Sequence, residues 1–250
     1  MLLKIFSTNA AGLKFKTESL KNEITNTNAA TFTVQETHFE KKGKLKVDGF
    51  EIFETIRKKK DGGTLVGIHK ALNPMLIKDH SETFELITVE ITVGNKEIRI
   101  ISGYGPQEYW TEEEKMPFFM ALEDEIVKAQ LLGKSIIIEM DANSKLGPEW
   151  IGNDPHNQTQ NGRILAGILE RNNLVVVNGM KNKCNGLITR TRVTTEGREA
   201  SVIDFVIKLS ELFNKRQNLR SKSDEESKAE LEKVEAKQQT CAQRRTEKRY

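Results

Sequence analysis

A chain of 250 residues, 37% of them hydrophobic, has room for one large or two small domains and enough apolar material for a real core. Its two cysteines, Cys184 and Cys241, cannot build a disulfide framework, lack neighbours at zinc-finger spacing and fit a reducing compartment. No run of eighteen apolar residues exists, and Lys4 interrupts the short apolar start, so neither a membrane span nor a signal peptide is expected.

Net charge is +3, but unevenly placed: residues 208–250 carry 12 Lys+Arg and 8 Asp+Glu, leaving 27 against 28 for residues 1–207. The body is near neutral and gives no basic stripe of the kind that marks a nucleic-acid binder. The Arg57-Lys58-Lys59-Lys60 cluster suits a phosphate backbone or a solvated turn.

In chain order, Leu2 to Ser7 reads as a strand, followed by the Thr8-Asn9-Ala10-Ala11-Gly12-Leu13 turn and a polar helix to about Asn26. Ala30 to Val34 reads as a strand running into Gln35-Glu36-Thr37-His38, which places a carboxylate where a strand stops. Further strands are expected at Glu51–Thr55, Thr64–His69, Phe84–Thr92 and Glu97–Ser102, the last two joined by a Val93-Gly94-Asn95-Lys96 hairpin signal. From Thr111 to Leu132, Phe118, Phe119, Leu122, Ile126, Val127 and Leu131 recur at helical spacing, predicting an amphipathic helix packed on a sheet.

Residues 135–147 then set an Ile-rich run directly against Asp141-Ala142-Asn143 and Gly147, a buried strand ending in a turn. Residues two apart on an extended segment point the same way, so a carboxylate and an amide are aimed at one small volume. A lone D-x-N equally makes an Asx turn. Beyond it come a polar loop through His156, a helix opened by Asn161-Gly162-Arg163, a strand at Leu174–Val177, and a strand pair at Leu187–Val193 and Ser201–Ile207 joined by Thr195-Glu196-Gly197. Many hairpins with a few helices suggest two packed sheets flanked by helices. Ser223 to Lys248 is too charged to build core and reads as a solvated helix or disorder.

Taken together, T-N-A-A-G-L at 8–13, V-Q-E-T-H at 34–38, S-G-Y-G-P at 102–106, D-A-N-S at 141–144, N-G-R-I-L at 161–165 and S-V-I-D-F at 201–205 resemble the endonuclease/exonuclease/phosphatase superfamily. Within it the chain is most similar to the apurinic-endonuclease-like domain of LINE-type retrotransposons. The resemblance covers residues 1–207 and implies an α/β four-layer sandwich of two mainly antiparallel sheets flanked by helices. It also implies Mg²⁺-dependent phosphodiester cleavage, with Mn²⁺ as a substitute. By the same carry-over Asn9 and Glu36 hold the metal, Tyr104 bonds the phosphate, Asp141 orients or deprotonates the attacking water, Asn143 helps hold the phosphorus centre, and Asp204 orients a histidine. Arg163 and Ser201 fall in the same motifs, and like Thr189 they equally suit a helix cap or strand pair. His38 and His69 read as supporting or surface residues, and His156 as exposed.

The pattern departs from this family at its end. The last strand of such domains finishes in Ser-Asp-His, and here no histidine follows His156; Met140 also stands where a glycine is usual, and Arg190 where an aromatic is. The expectation is therefore a domain over 1–207 incomplete at its C-terminus, with a sheet edge open to a protein partner or a second copy, and a charged tail over 208–250. The expected function is a DNA endonuclease of retrotransposon type with severely reduced activity, in an intracellular setting, nuclear or cytoplasmic. A catalytically dead nucleic-acid-binding or scaffold module, and a phosphatase of small phosphoesters, are the alternatives on the same fold.

Overall fold

In the computed structural model, which describes residues 3–56, 62–151, 157–177, 192–193, 200–201 and 204–209, two mixed sheets lie face to face. The first contains β1 (Ile5–Asn9), β2 (Thr31–Gln35), β3 (Phe50–Glu54) and β4 (Thr64–His69) in the order β1-β2-β4-β3. The second contains β5 (Met75–Asp79), β6 (Leu86–Val93), β7 (Lys96–Tyr104), β8 (Ser135–Asp141), β9 (Leu174–Val176) and β12 (Asp204–Leu209) in the order β5-β6-β7-β8-β12-β9. Two further short strands, β10 (Arg192–Val193) and β11 (Ala200–Ser201), pair antiparallel with each other. Among the described residues parallel pairing is confined to β1 with β2 and β7 with β8, and each pair is bridged by a helix, α1 (Thr17–Thr27) and α2 (Glu112–Leu131) respectively. That is what a parallel crossover requires. Helix α3 (Gln160–Arg171) precedes β9.

Period-two alternation sorts the side chains into three apolar interfaces, and hence four layers. Phe32 and Val34 of β2 pack with Leu20 and Ile24 of α1 on the outer face of the first sheet. Val66 and Ile68 of β4 meet Ile87, Val89, Ile91 and Ile100 between the sheets. Ile136, Ile138 and Met140 of β8 face Phe118, Phe119, Leu122 and Ile126 of α2 and Leu165 and Leu169 of α3. Met140 is thus a core residue under the helices rather than a bulky neighbour intruding on the Asp141 side of the strand.

The boundaries differ from the sequence reading in ways that matter for function. β1 reaches Asn9 and β7 reaches Tyr104, so both residues end strands instead of sitting in the following turns. β5 was not anticipated, since Met75-Leu76-Ile77-Lys78-Asp79 has little alternation and its pairing with β6 contains a bulge. On α2, Thr111 closes a capping box with Glu114. However, Val127 and Leu131 are exposed, and Ala129 takes the inward position. The strand pair expected at 187–193 and 201–207 becomes the short β10–β11 ladder, while β12 crosses to lie between β8 and β9. Thr189, Arg190, His156, Cys184, Cys241, the Arg57–Lys60 cluster and the tail from 210 lie outside the described residues. Among the described residues β1 pairs only with β2, and no helix is long and apolar enough to cross a membrane.

Candidate active site

Two parallel pairs end at one mouth. Asn9 closes β1 opposite Gln35 of β2, and Tyr104 closes β7 opposite Asp141 of β8. Glu36 follows β2 directly, so each sheet delivers polar side chains from the carboxyl ends of its parallel strands. The Asn9 amide nitrogen joins the halves: it donates to Glu36 Oε1 at 3.0 Å and to Asp141 Oδ2 at 2.7 Å. The other Asp141 oxygen, Oδ1, accepts the Asn143 backbone N–H at 2.9 Å, an Asx turn that coexists with the site role instead of replacing it. The Asn143 side chain donates to the Gly105 carbonyl at 2.9 Å and thereby reaches the strand end that carries Tyr104. β12 sets Asp204 in register with Asp141 across the antiparallel ladder.

Backbone conformation around the mouth is unusual. Ala11, Glu36, His38 and Asn143 all have positive φ, at 43°, 52°, 53° and 44°. For side chains other than glycine this costs free energy, and such residues gather where a site needs groups aimed out of a strand end. The Ala11 and Gly12 amides are held by Asn9 Oδ1 and the Glu36 carbonyl, which fixes the first loop against the second.

Electrostatics follow from burial. Tyr104 is buried, and desolvation, reinforced by the nearby Glu36 and Asp141 carboxylates, holds its phenol well above the usual range despite a bond with Asn143. It therefore keeps its proton and remains a donor; its oxygen also accepts from Gln107 Nε2 at 2.9 Å. His38 Nε2 lies 3.6 Å from Glu36 Oε2, beside the carboxylate rather than at the mouth's centre. His69 instead caps the short helix at Lys70–Leu72 and meets Phe50 edge-on, a structural role. Arg163 is exposed on α3.

Asn161 is the residue the sequence reading undervalued. Fully buried, it donates from Nδ2 to the Pro106 carbonyl at 2.8 Å and lies 3.4 Å from the Asn143 carbonyl, clamping the Tyr104 and Asp141 loops together. Glu108 supports the clamp by accepting the Gln160 and Asn161 backbone amides at the start of α3. Close approach makes two glycines necessary here: a Cβ on Gly105 would lie 2.6 Å from the Ala142 carbonyl oxygen, and one on Gly162 would lie 1.9 Å from that of Lys145. The N-G-R-I-L motif marks the position, but Asn-Gly by itself signals only a turn, and the buried amide arises from the packing of the two loops.

The donor set suits a hard divalent cation. No group of three or more His, Cys, Asp or Glu residues converges among the described residues. The two carboxylates that share one amide nitrogen nevertheless match what Mg²⁺ needs, one or two carboxylates with the remaining positions left to water and substrate oxygen.

No protein-family model matches the sequence, and no curated protein matches it. Solved structures do. The endonuclease domain of TRAS1, a telomere-specific non-LTR retrotransposon, superposes with a TM-score of 0.61 at 18% identity, covering 85% of this chain and 88% of that one. The AP endonuclease LMAP of Leishmania major gives 0.65 at 14% identity over 83% and 79%. The catalytic domain of Xenopus laevis APE2 gives 0.64 at 16% over 84% and 83%. Agreement over so much of each chain shows that the protein has the α/β-sandwich fold of these nuclease domains.

Proposed function

We propose that this protein is a Mg²⁺-dependent phosphodiester hydrolase that nicks DNA, with a low turnover. The observation that carries the proposal is the Asn9 amide bridging Glu36 of one sheet to Asp141 of the other, at a mouth that also holds Tyr104 and Asn143. Glu36, with Asn9, is the natural seat for the cation, which when bound offsets the negative charge that develops on the phosphate oxygens. Asp141 orients and accepts a proton from the attacking water. Its Oδ1 bond to the Asn143 amide fixes the carboxylate plane for that task. Tyr104, held protonated, donates to a non-bridging phosphate oxygen, and Asn143, turned by its positive φ, steadies the same group. Low turnover is part of the proposal: among residues 1–250 no histidine follows His156, and a site without an imidazole beside Asp204 would lack one acid–base group. General acid–base groups contribute about 10² to 10⁴ in rate.

A further similar structure, the 3′ phosphatase NExo from Neisseria, is bound to a product DNA hairpin, and the TRAS1 domain comes from a retrotransposon; both favour DNA over small phosphoesters. Supercoiled plasmid with Mg²⁺ is the test. Slow nicking that disappears in Glu36→Ala, with little release of phosphate from small phosphoesters, is the expected result. Cleavage indifferent to that substitution, or phosphoester turnover exceeding nicking, contradicts the proposal.

A further inference from the structure

One pleat below the mouth, the material between the sheets changes from apolar to polar. Glu139 of β8 is 1% exposed, two residues before Asp141 and on the same face of the strand. The Thr33 hydroxyl of β2 donates to its Oε2 at 2.5 Å. Ser7 of β1, whose oxygen lies 2.9 Å from Thr33 Oγ1, bonds the same carboxyl. Ser7 and Thr33 are themselves register partners, and they stand two residues before Asn9 and Gln35, respectively. A second tie lies beside the first: Ser102, the register partner of Glu139 on β7, meets the Thr64 hydroxyl of β4 at 2.8 Å, and Gln35 Nε2 lies 3.5 Å from the same serine oxygen.

Burying a carboxyl between two sheets is costly, and an apolar side chain of similar volume would pack there at lower cost. Apolar contact, however, is non-directional and lets packed sheets slide, whereas a short hydrogen bond fixes both distance and register. The Asn9 bridge needs such a constraint. Its two carboxylate partners ride on different sheets, so small shifts between the sheets open or close the mouth.

We propose that Glu139 is a positioning residue whose bonds to Thr33 and Ser7 lock the Asn9–Glu36 half of the site against the Tyr104–Asp141–Asn143 half. The inference rests on the hydrolase reading of that mouth. Glu139→Leu and Thr33→Val remove the tie while filling its volume, and Glu139→Gln keeps an acceptor for Thr33. Glu139→Leu should melt no lower than the parent. Its kcat should nonetheless fall at least about tenfold while KM changes less than about threefold, because misplacement of reacting groups is felt in the transition state. The Mg²⁺ concentration at the midpoint of the cation-induced rise in Tm should move upward. Thr33→Val should do the same, the double variant should be no worse than either single one, and Glu139→Gln should stay close to the parent. Parental kcat and Mg²⁺ midpoint in a folded Glu139→Leu overturn the proposal, as does a Glu139→Gln as impaired as Glu139→Leu. If Glu139→Leu fails to fold, Thr33→Val decides by the same criteria.

Should the parent protein neither nick DNA nor respond to Mg²⁺, the hydrolase reading fails, and amide exchange judges the tie alone. Loosened sheets should cost protection at Ala10 and Gly105, whose N–H groups bond the Gln35 and Asp141 carbonyls, while amides of α2 keep theirs. Unchanged protection at both positions overturns the positioning role.

Discussion

Glu139 also contributes to the protein's pH dependence. Burial pushes its carboxyl from the ordinary 4.5 up to about 7, against the opposing bonds from Thr33 and Ser7. The unfolded chain therefore ionises first as pH rises, and the native state loses stability progressively between about pH 4.5 and about 7. Glu139→Gln removes the titration. Relative to this variant the parent should lose on the order of 3 kcal/mol between pH 4 and pH 8 in urea unfolding, and parallel pH profiles would contradict the assignment. Glu90 runs the other way. Burial raises its carboxyl, but Lys134 at 2.5 Å and Arg99 at 3.1 Å outweigh that and hold it low, so its contribution is present above the usual carboxylate range and lost on acidification. Asn161→Ala leaves the Pro106 carbonyl without its side-chain donor and should cost about 1–3 kcal/mol. Because the clamp holds the Tyr104 and Asp141 loops, nicking should fall further than the loss of stability alone explains, with the comparison made on protein shown by calorimetry to be fully folded.

At the scale of elements, α2 departs from what periodicity alone implies. Phe118, Phe119, Leu122 and Ile126 face the sheet as expected, but Leu131 is 81% exposed and Val127 38%. Leu131→Lys is accordingly expected to shift stability by less than about 0.5 kcal/mol, whereas Ile126→Ala should cost about 2–5 kcal/mol. Equal effects in chemical denaturation would mean that the face of α2 has been misassigned. Helix α3 is held at its start, where Thr159 caps Gly162 and the helix crosses the Lys145 carbonyl. Gly162→Ala forces that crossing apart and should cost about 1–3 kcal/mol or more, with a matching fall in Tm, because neither backbone can yield without moving the D-x-N loop.

For the whole molecule, a cation that binds only the native mouth stabilises it by mass action, by about 2.7 kcal/mol at a hundred times its Kd. Mg²⁺ should raise Tm in a concentration-dependent way, and Glu36→Ala should abolish the effect while Leu131→Lys preserves it. A rise that survives in Glu36→Ala would place the cation elsewhere. The mouth unites two sheets whose contributions are separated by more than a hundred residues, Asn9 from Asp141 by 132, so its integrity reports on the docking of both halves. That is why ties such as Thr33–Glu139, far from solvent, bear on chemistry.

The sequence by itself determined the elements and the chemistry available to them. Ile-rich runs ending in Asp141-Ala142-Asn143, a strand ending at Gln35-Glu36 and the helical spacing of Phe118, Phe119, Leu122 and Ile126 are local patterns, legible because burial period and turn preference act over a few residues. Six motifs in order were enough to name the fold. Tertiary structure alone decided which strand ends meet. Nothing local says that β12 inserts between β8 and β9, bringing Asp204 into register with Asp141, or that Met140 turns under the helices. Nor does composition distinguish Glu139 from an exposed acid, or Asn161 from a loop amide. Their roles come from partners 106 and 55 residues away, and contacts at that separation exist only after the sheets have packed and water has left the space between them.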